Sequence, residues 1–139
     1  MRTERAKLPP PPRAGLYLGD SPLDLAWVKA VIRNPNTGRH LSVKALVDTV
    51  ATLAVVPRRI AEGLQLPVIG RRRVATAKGT AELDECIGIV EVMGRRAYTH
   101  ILVSNDVGIV LIGATTLETL GLEVVPTTGK LKEVTTYLL

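Results

Sequence analysis

The chain is punctuated by turn residues at short intervals, and the apolar stretches between them suit only strands or short helices. "LDLAWVKAVIRN" (23–34) runs into "PNTG" (35–38) and returns as "RHLSVKALVDT" (39–49), the pattern of a hairpin. In the returning arm Val43, Ala45 and Val47 alternate with Ser42, Lys44 and Leu46, the period of two that turns one strand face to a core. Residues 70–92 form a second, longer hairpin pattern whose centre, around Lys78-Gly79, is small and polar. A turn at Gly94-Arg95 then leads into "AYTHILV" (97–103). "GIVLIG" (108–113) is continuously apolar, as a buried strand would be, and "LEVV" and "GKLKEVTTYLL" close the chain in extended character. Helical patterns are confined to two places. Pro57 with Ile60 and Leu64 predicts a short helix ending near Leu66-Pro67. Thr115 and Glu118 have capping-box spacing, with Gly121 as the stop. The expectation is seven or eight strands and two short helices. Because 46% of residues are hydrophobic but only 3% aromatic, with no Phe, the core has to be built from Val, Leu, Ile and Ala.

A length of 139 residues suits one domain. "MRTERAKLPPPPRAG" (1–15) reads as a flexible basic tail whose four consecutive prolines favour an extended segment, with residues 16–139 as the domain proper. No apolar run reaches the roughly 18–20 residues of a membrane span, so no membrane partner is expected, and a single cysteine, which cannot form an internal disulfide, fits a reducing cytoplasm. The formal charge of +5 fits weak polyanion binding, but one Trp and three Tyr offer few stacking platforms, and nucleic acid is an unlikely partner. Cys86 is alone and reads as a small core residue. His40 and His100 lack the spacing of metal ligands, and neither a phosphate-binding loop nor a nucleophile elbow occurs. The "RRR" run at 71–73 reads as a solvated edge and Asp106 as a loop residue.

One carboxylate stands out. In "ALVDTVATLAVVP" (45–57) an apolar strand finishes on Asp48 and turns through Thr49, Val50, Ala51 and Thr52. The segment "VDTVATL" (47–53) also superimposes on "VLIGATTL" (110–117), with Val50 over Gly113, Ala51 over Ala114 and Thr52 over Thr115. Such a repeat suggests internal pseudo-twofold symmetry in which one copy carries the carboxylate and the other is apolar. Taken alone, Asp48 could equally be an Asx-turn residue that caps local amides.

These motifs, taken in order, resemble the retropepsin-like aspartic proteases, the single-domain relatives of pepsin. The family's hydrophobic-hydrophobic-Asp-Thr-Gly-Ala motif corresponds to Leu46-Val47-Asp48-Thr49-Val50-Ala51. Its glycine-tipped flap corresponds to the hairpin at about 74–86, and its late apolar-apolar-Gly to Leu111-Ile112-Gly113 before a helix. The agreement covers roughly residues 25–130. The resemblance implies an all-β, acid-protease-like closed barrel with two short helices and a flap hairpin, working as a homodimer on a peptide or protein substrate. It implies no cofactor and no metal. Asp48 of each chain would form the catalytic dyad, and Thr49 would lock the two turns together through its hydroxyl. Val50, Ala51, Ala77, Lys78, Gly79, Ile112 and Gly113 would line the substrate. Two other readings remain open: a catalytically silent dimer of the same fold that binds extended peptides, and a basic β-domain that binds nucleic acid.

Val50 departs from the family pattern, which has glycine there. Its N–H can still reach the Asp48 carboxylate, but a β-branched side chain is placed where two loops and a substrate would converge. If the turn demanded a positive φ, the valine would cost about 1–3 kcal/mol; otherwise its only cost is crowding.

Overall fold

The computed structural model describes residues 25–135 and Leu138; the 1–15 tail and the start of the domain at residue 16 lie outside the described residues. Nine strands and two helices follow in the order β1 (Leu25–Arg33), β2 (His40–Asp48), β3 (Ala54–Pro57), α1 (Arg58–Leu64), β4 (Val68–Thr76), β5 (Gly79–Val92), β6 (Arg95–Ser104), β7 (Val110–Ile112), α2 (Ala114–Leu120), β8 (Leu122–Val124) and β9 (Leu131–Glu133). Strands β1, β2, β7, β3, β6 and β5 pair in that order, and β1 pairs back onto β5 to close the barrel. Strand β4 is added outside β5, and β8 and β9 form a separate two-stranded sheet.

Closure follows from the alternation. Ala30 and Ile32 of β1, Ala45 and Val47 of β2, Val90 and Val92 of β5, and Ile101 and Val103 of β6 all point into one buried cluster. Every large member is aliphatic, as the lack of phenylalanine requires. Cys86 belongs to this cluster at 1% exposure, and burial raises its thiol pKa, so it behaves as a small apolar residue. Ile60 and Leu64 of α1 and Leu117 and Leu120 of α2 seal the barrel from outside its walls. In β5, Gly88 leaves room for the end of the Ile101 side chain, since a Cβ there would lie 2.5 Å from its Cδ1 and that methyl would have to shift.

Three local expectations are corrected. The segment 54–57, between the Asp48 turn and the first helix, is a strand of its own. The second helix starts at Ala114 with Gly113 as its N-cap and no side-chain cap, so Thr115 lies inside it. There the Thr115 carbonyl accepts from the Thr119 hydroxyl instead of Thr115 capping the helix. The turn between β5 and β6 is centred on Met93-Gly94, both at positive φ, which is the geometry a two-residue hairpin needs.

Two buried or half-buried polar side chains tie the elements together. Asn34, 2% exposed at the β1–β2 turn, donates from Nδ2 to the carbonyls of Leu64 and Gln65 at 2.9 and 2.8 Å. Its Oδ1 accepts from the N–H of Asn36 at 2.8 Å. It therefore shapes its own turn and satisfies the C-terminal carbonyls of α1, where Gln65 sits in the left-handed region. Arg95 does the same for α2, donating from Nε to the Leu120 carbonyl at 2.6 Å and pairing with Glu133 of β9 at 3.2 Å. Asn34→Ala should cost about 1–3 kcal/mol, because two carbonyls lose a buried donor. Urea unfolding of the two proteins at neutral pH measures this loss.

Candidate functional site: the Asp48 turn

Strand β2 is buried on both faces near its end, where Ala45, Leu46 and Val47 are all below 9% exposure. The chain leaves this rigid element at Asp48, which is half-buried, and turns immediately. The Val50 N–H donates to Asp48 Oδ1 at 3.0 Å, and the Ala51 N–H donates to the Asp48 carbonyl at 3.2 Å. This is an Asx-type turn, so the local-capping role and a held carboxylate are one geometry. One carboxylate oxygen is oriented by the backbone.

The turn is braced from behind. Strand β7 lies between β2 and β3, parallel to β2 with Val47 opposite Ile112, and antiparallel to β3 with Val55 opposite Leu111. Residues 49–53 must therefore cross the end of β7, and Gly113 stands at that crossing. A Cβ on Gly113 would lie 2.6 Å from the Leu53 carbonyl oxygen and 2.7 Å from that of Ala51, both backbone atoms. Its φ of −88° shows that clearance, not conformational freedom, requires glycine. The N–H groups of Ala114 and Thr115 donate to the carbonyls of Ala51 and Thr52 at 2.8 and 2.9 Å. The residues matched in the sequence repeat thus bond directly to one another. The copies diverge afterwards, since Ala51-Thr52 leads into a strand and Ala114-Thr115 into a helix.

Among the described residues Val50 does not take a positive φ, so its backbone is unstrained. Val50 is 85% exposed, and among the described residues nothing crowds it. Thr49 is also exposed and lines an open groove of about 400 Å³ together with Leu117, Leu122, Val124 and Val134. Ile112 is buried in the barrel core, so it supports the turn from within and does not line a surface.

The expected hairpin is β4–β5, closed by the pair Thr76 and Gly79 around Ala77-Lys78. Gly79 has φ +118°, while the Thr76 hydroxyl donates to the Gly79 carbonyl and accepts from the Lys78 N–H. The tip is exposed throughout. Sequence reading missed what anchors its base. Glu85 of β5, 6% exposed, takes two bonds from Arg72 of β4, with Nε to Oε1 at 2.6 Å and Nη2 to Oε2 at 3.1 Å. Its Oε2 also meets Nδ1 of His100 on β6. Asp84 is held by Arg58 at the start of α1 at 3.2 Å, with Arg71 of β4 at 4.0 Å. The available signal was the run of three arginines facing Glu82, Asp84 and Glu85 across a two-residue turn.

No protein-family model matches the sequence, and no curated protein does. Solved structures do resemble the fold. The protease of equine infectious anaemia virus in complex with an inhibitor aligns with a TM-score of 0.54 at 21% identity, over 72% of this chain and 91% of that one. The simian foamy virus protease aligns at 0.50 and 22%, over 67% and 92%. A foamy viral protease–reverse transcriptase in complex with an RNA/DNA hybrid aligns at 0.52 and 18%, over 70% of this chain but only 12% of that much longer one. The fold is therefore that of the retroviral proteases, an all-β closed barrel with two short helices.

The Arg72 hydrogen bonds pull the Glu85 carboxyl down to about 2 from its ordinary 4.5, with burial opposing and His100 assisting. A depressed carboxyl pKa contributes stability above the unfolded value and loses it as pH falls through the folded one. The hairpin base should hold at mildly acidic pH and weaken between 4.5 and 2. Wild type should exceed Glu85→Gln in stability at neutral pH, and the gap should close across that window in denaturant titrations at stepped pH.

Proposed function

We propose that the protein is an aspartic endopeptidase that acts as a homodimer, with Asp48 of each chain forming the dyad. The observation that carries this reading is the Asp48 turn itself. A carboxylate sits at the end of a rigid strand, is oriented by the Val50 N–H at 3.0 Å, and is locked by the Gly113 crossing within a retroviral-protease fold. Hydrolysing a peptide without a metal or a covalent intermediate needs one group to take a proton from water and another to protonate the carbonyl oxygen. Two carboxylates in contact can do both, because both cannot ionise and their titrations split apart. One chain brings only one such aspartate to the turn, so the second comes from an isologous partner. The exposed Thr49 and the groove beside it are the surface such a partner would meet. The β4–β5 hairpin would serve as the flap, with Ala77, Lys78 and Gly79 closing over the main chain of the substrate. Val50 and Ala51 would border the reacting bond, with Gly113 and Ile112 supporting the turn.

The exposed Val50, standing where the family pattern has glycine, favours a second reading, a silent dimer that binds extended peptides. A peptide-library assay across acidic pH, with sedimentation on the same samples, separates the two. The protease reading expects a dimer and a bell-shaped activity profile on the acid side of neutrality. It expects Asp48→Asn to abolish cleavage while leaving the dimer intact. A monomer at micromolar concentration without cleavage would sink it, and a dimer that binds but never cleaves would establish the silent alternative.

Val50→Gly should raise kcat/KM, because the exposed side chain stands where substrate backbone would run. It should also lower stability by about 0.4–1 kcal/mol through unfolded-chain entropy. Equal or lower activity in the glycine variant would show that valine suits this site.

A further inference from the structure

We propose that the outer face of the β1–β2 hairpin binds single-stranded nucleic acid, with phosphates against Lys29 and Lys44 and a base beside Trp27. Residues 25–47 contain four Lys or Arg and no Asp or Glu. Alternation sends Ala30, Ile32, Ala45 and Val47 into the core, so Trp27, Lys29, Val31 and Arg33 of β1 face outward. The register sets Leu46, Lys44, Ser42 and His40 of β2 beside them, one for one. Lys29 is therefore directly opposite Lys44, and both are exposed. Like charges so placed repel, a cost that an anion bound between them would remove. On β4 and β6 the arginines each have a carboxylate within 4.0 Å. Among the described residues no carboxylate comes that close to Lys29, Arg33, Arg39 or Lys44. Arg33 is held by the Gly38 carbonyl at 3.0 Å and by Nδ1 of His40 at 3.3 Å, and neither contact cancels its charge. Glu91, across from Val31 on β5, is taken by Arg96 at 2.9 Å.

The shape of the face selects the polyanion. The two lysines border an open groove of about 440 Å³ that Trp27, Val28, Ser42 and Val43 complete. Lys44 Nζ lies 5.2 Å from the centre of the Trp27 ring, so positive charge and an indole meet at one spot. A nucleotide matches that combination, because it joins a flat base to a phosphate. From Trp27 to Arg33 the face runs about 20 Å along β1, room for several nucleotides of an extended strand. Aromatic residues are scarce in this chain, yet its single Trp is on this face. An acidic peptide would meet the lysines but would bring no flat base to the indole. A bilayer would need exposed apolar side chains beside the cations, and the large exposed hydrophobic residues among those described all lie outside this hairpin. The site does not involve Asp48 and holds whether or not the protein is a protease.

The test uses the full chain and a fluorescein-labelled oligothymidylate of about twelve nucleotides, within the usual range of site sizes. Anisotropy at low salt should show saturable binding, and the logarithm of affinity should fall linearly with the logarithm of salt concentration. Because the chain has one Trp, its intrinsic fluorescence reports this face, and the unlabelled oligonucleotide should quench it over the same concentration range. The double variant Lys29→Gln, Lys44→Gln removes the opposed charges, so its urea midpoint should be no lower than that of its parent. It should nevertheless bind at least about tenfold more weakly, with a salt slope shallower by about 1.4. Arg71→Gln, Arg73→Gln, on the β4–β5 hairpin, should bind within about twofold of the parent. The proposal is overturned if no saturable binding occurs at low salt, or if the lysine variant binds as tightly as its parent. It is overturned too if Trp27 fluorescence stays constant while anisotropy rises, or if the arginine variant is the one that loses binding. Polyglutamate binding as tightly as the oligonucleotide, with the same loss in the lysine variant, would overturn it in favour of an acidic polypeptide.

Discussion

The passage of residues 49–53 over the end of β7 is the constraint on which the rest of the structure depends. Strand β7 separates β2 from β3, so the chain leaving Asp48 has to bridge a strand before it can pair again. The bridge is short, and it fits because Gly113 has no side chain beneath it. Two backbone hydrogen bonds, from Ala114 and Thr115 to Ala51 and Thr52, then fix the bridge to the start of α2. The same contact starts a helix and holds the turn in which the Val50 N–H meets the Asp48 carboxylate. A backbone N–H on one carboxylate oxygen and a bridge fixed at both ends leave the Asp48 turn little conformational freedom.

The β4–β5 hairpin is built on the opposite plan. Beyond its base it is exposed on both faces, and electrostatics instead of burial fixes where it springs from. Arg72 and His100 converge on the buried Glu85, and Arg58 with Arg71 on Asp84, joining β4, β5, β6 and α1 at one end of the hairpin. Among the described residues the tip beyond is held by the hydrogen bonds of its own turn. An anchored base with a solvated tip suits an element that covers a substrate. The low pKa of Glu85 keeps that base ion-paired in the acid range where a carboxylate dyad would work.

Much of this was legible in the residues. The period-two alternation of Val43, Ala45 and Val47, the "PNTG" and Lys78-Gly79 turns, and the Pro57 and Gly121 helix boundaries gave strands and helices in nearly their observed places. Strand β3 escaped because "AVVP" is too short for either periodicity to register, and its partners β6 and β7 are distant in sequence. The capping-box spacing of Thr115 and Glu118 misled because backbone carbonyls of the Asp48 turn already take the first N–H groups of α2. Thr115 lies inside the helix, so its hydroxyl is not at the N-cap position.

By itself the sequence determined the strand content, the aliphatic core, the aspartate at a strand end and the glycine that answers it sixty-five positions later. The strands, the core and each turn are matters of local pattern and side-chain chemistry, and the link from Asp48 to Gly113 shows in the repeat of the two segments. Only the tertiary structure decided that Val50 is unstrained and open to solvent, because φ and exposure at a turn depend on what packs behind it. Only the tertiary structure, likewise, made Asn34 a cap for a helix thirty residues away and turned a run of arginines into the bonded base of a hairpin. Those roles arise from donors and acceptors brought together across the barrel, and no spacing within a single segment encodes them.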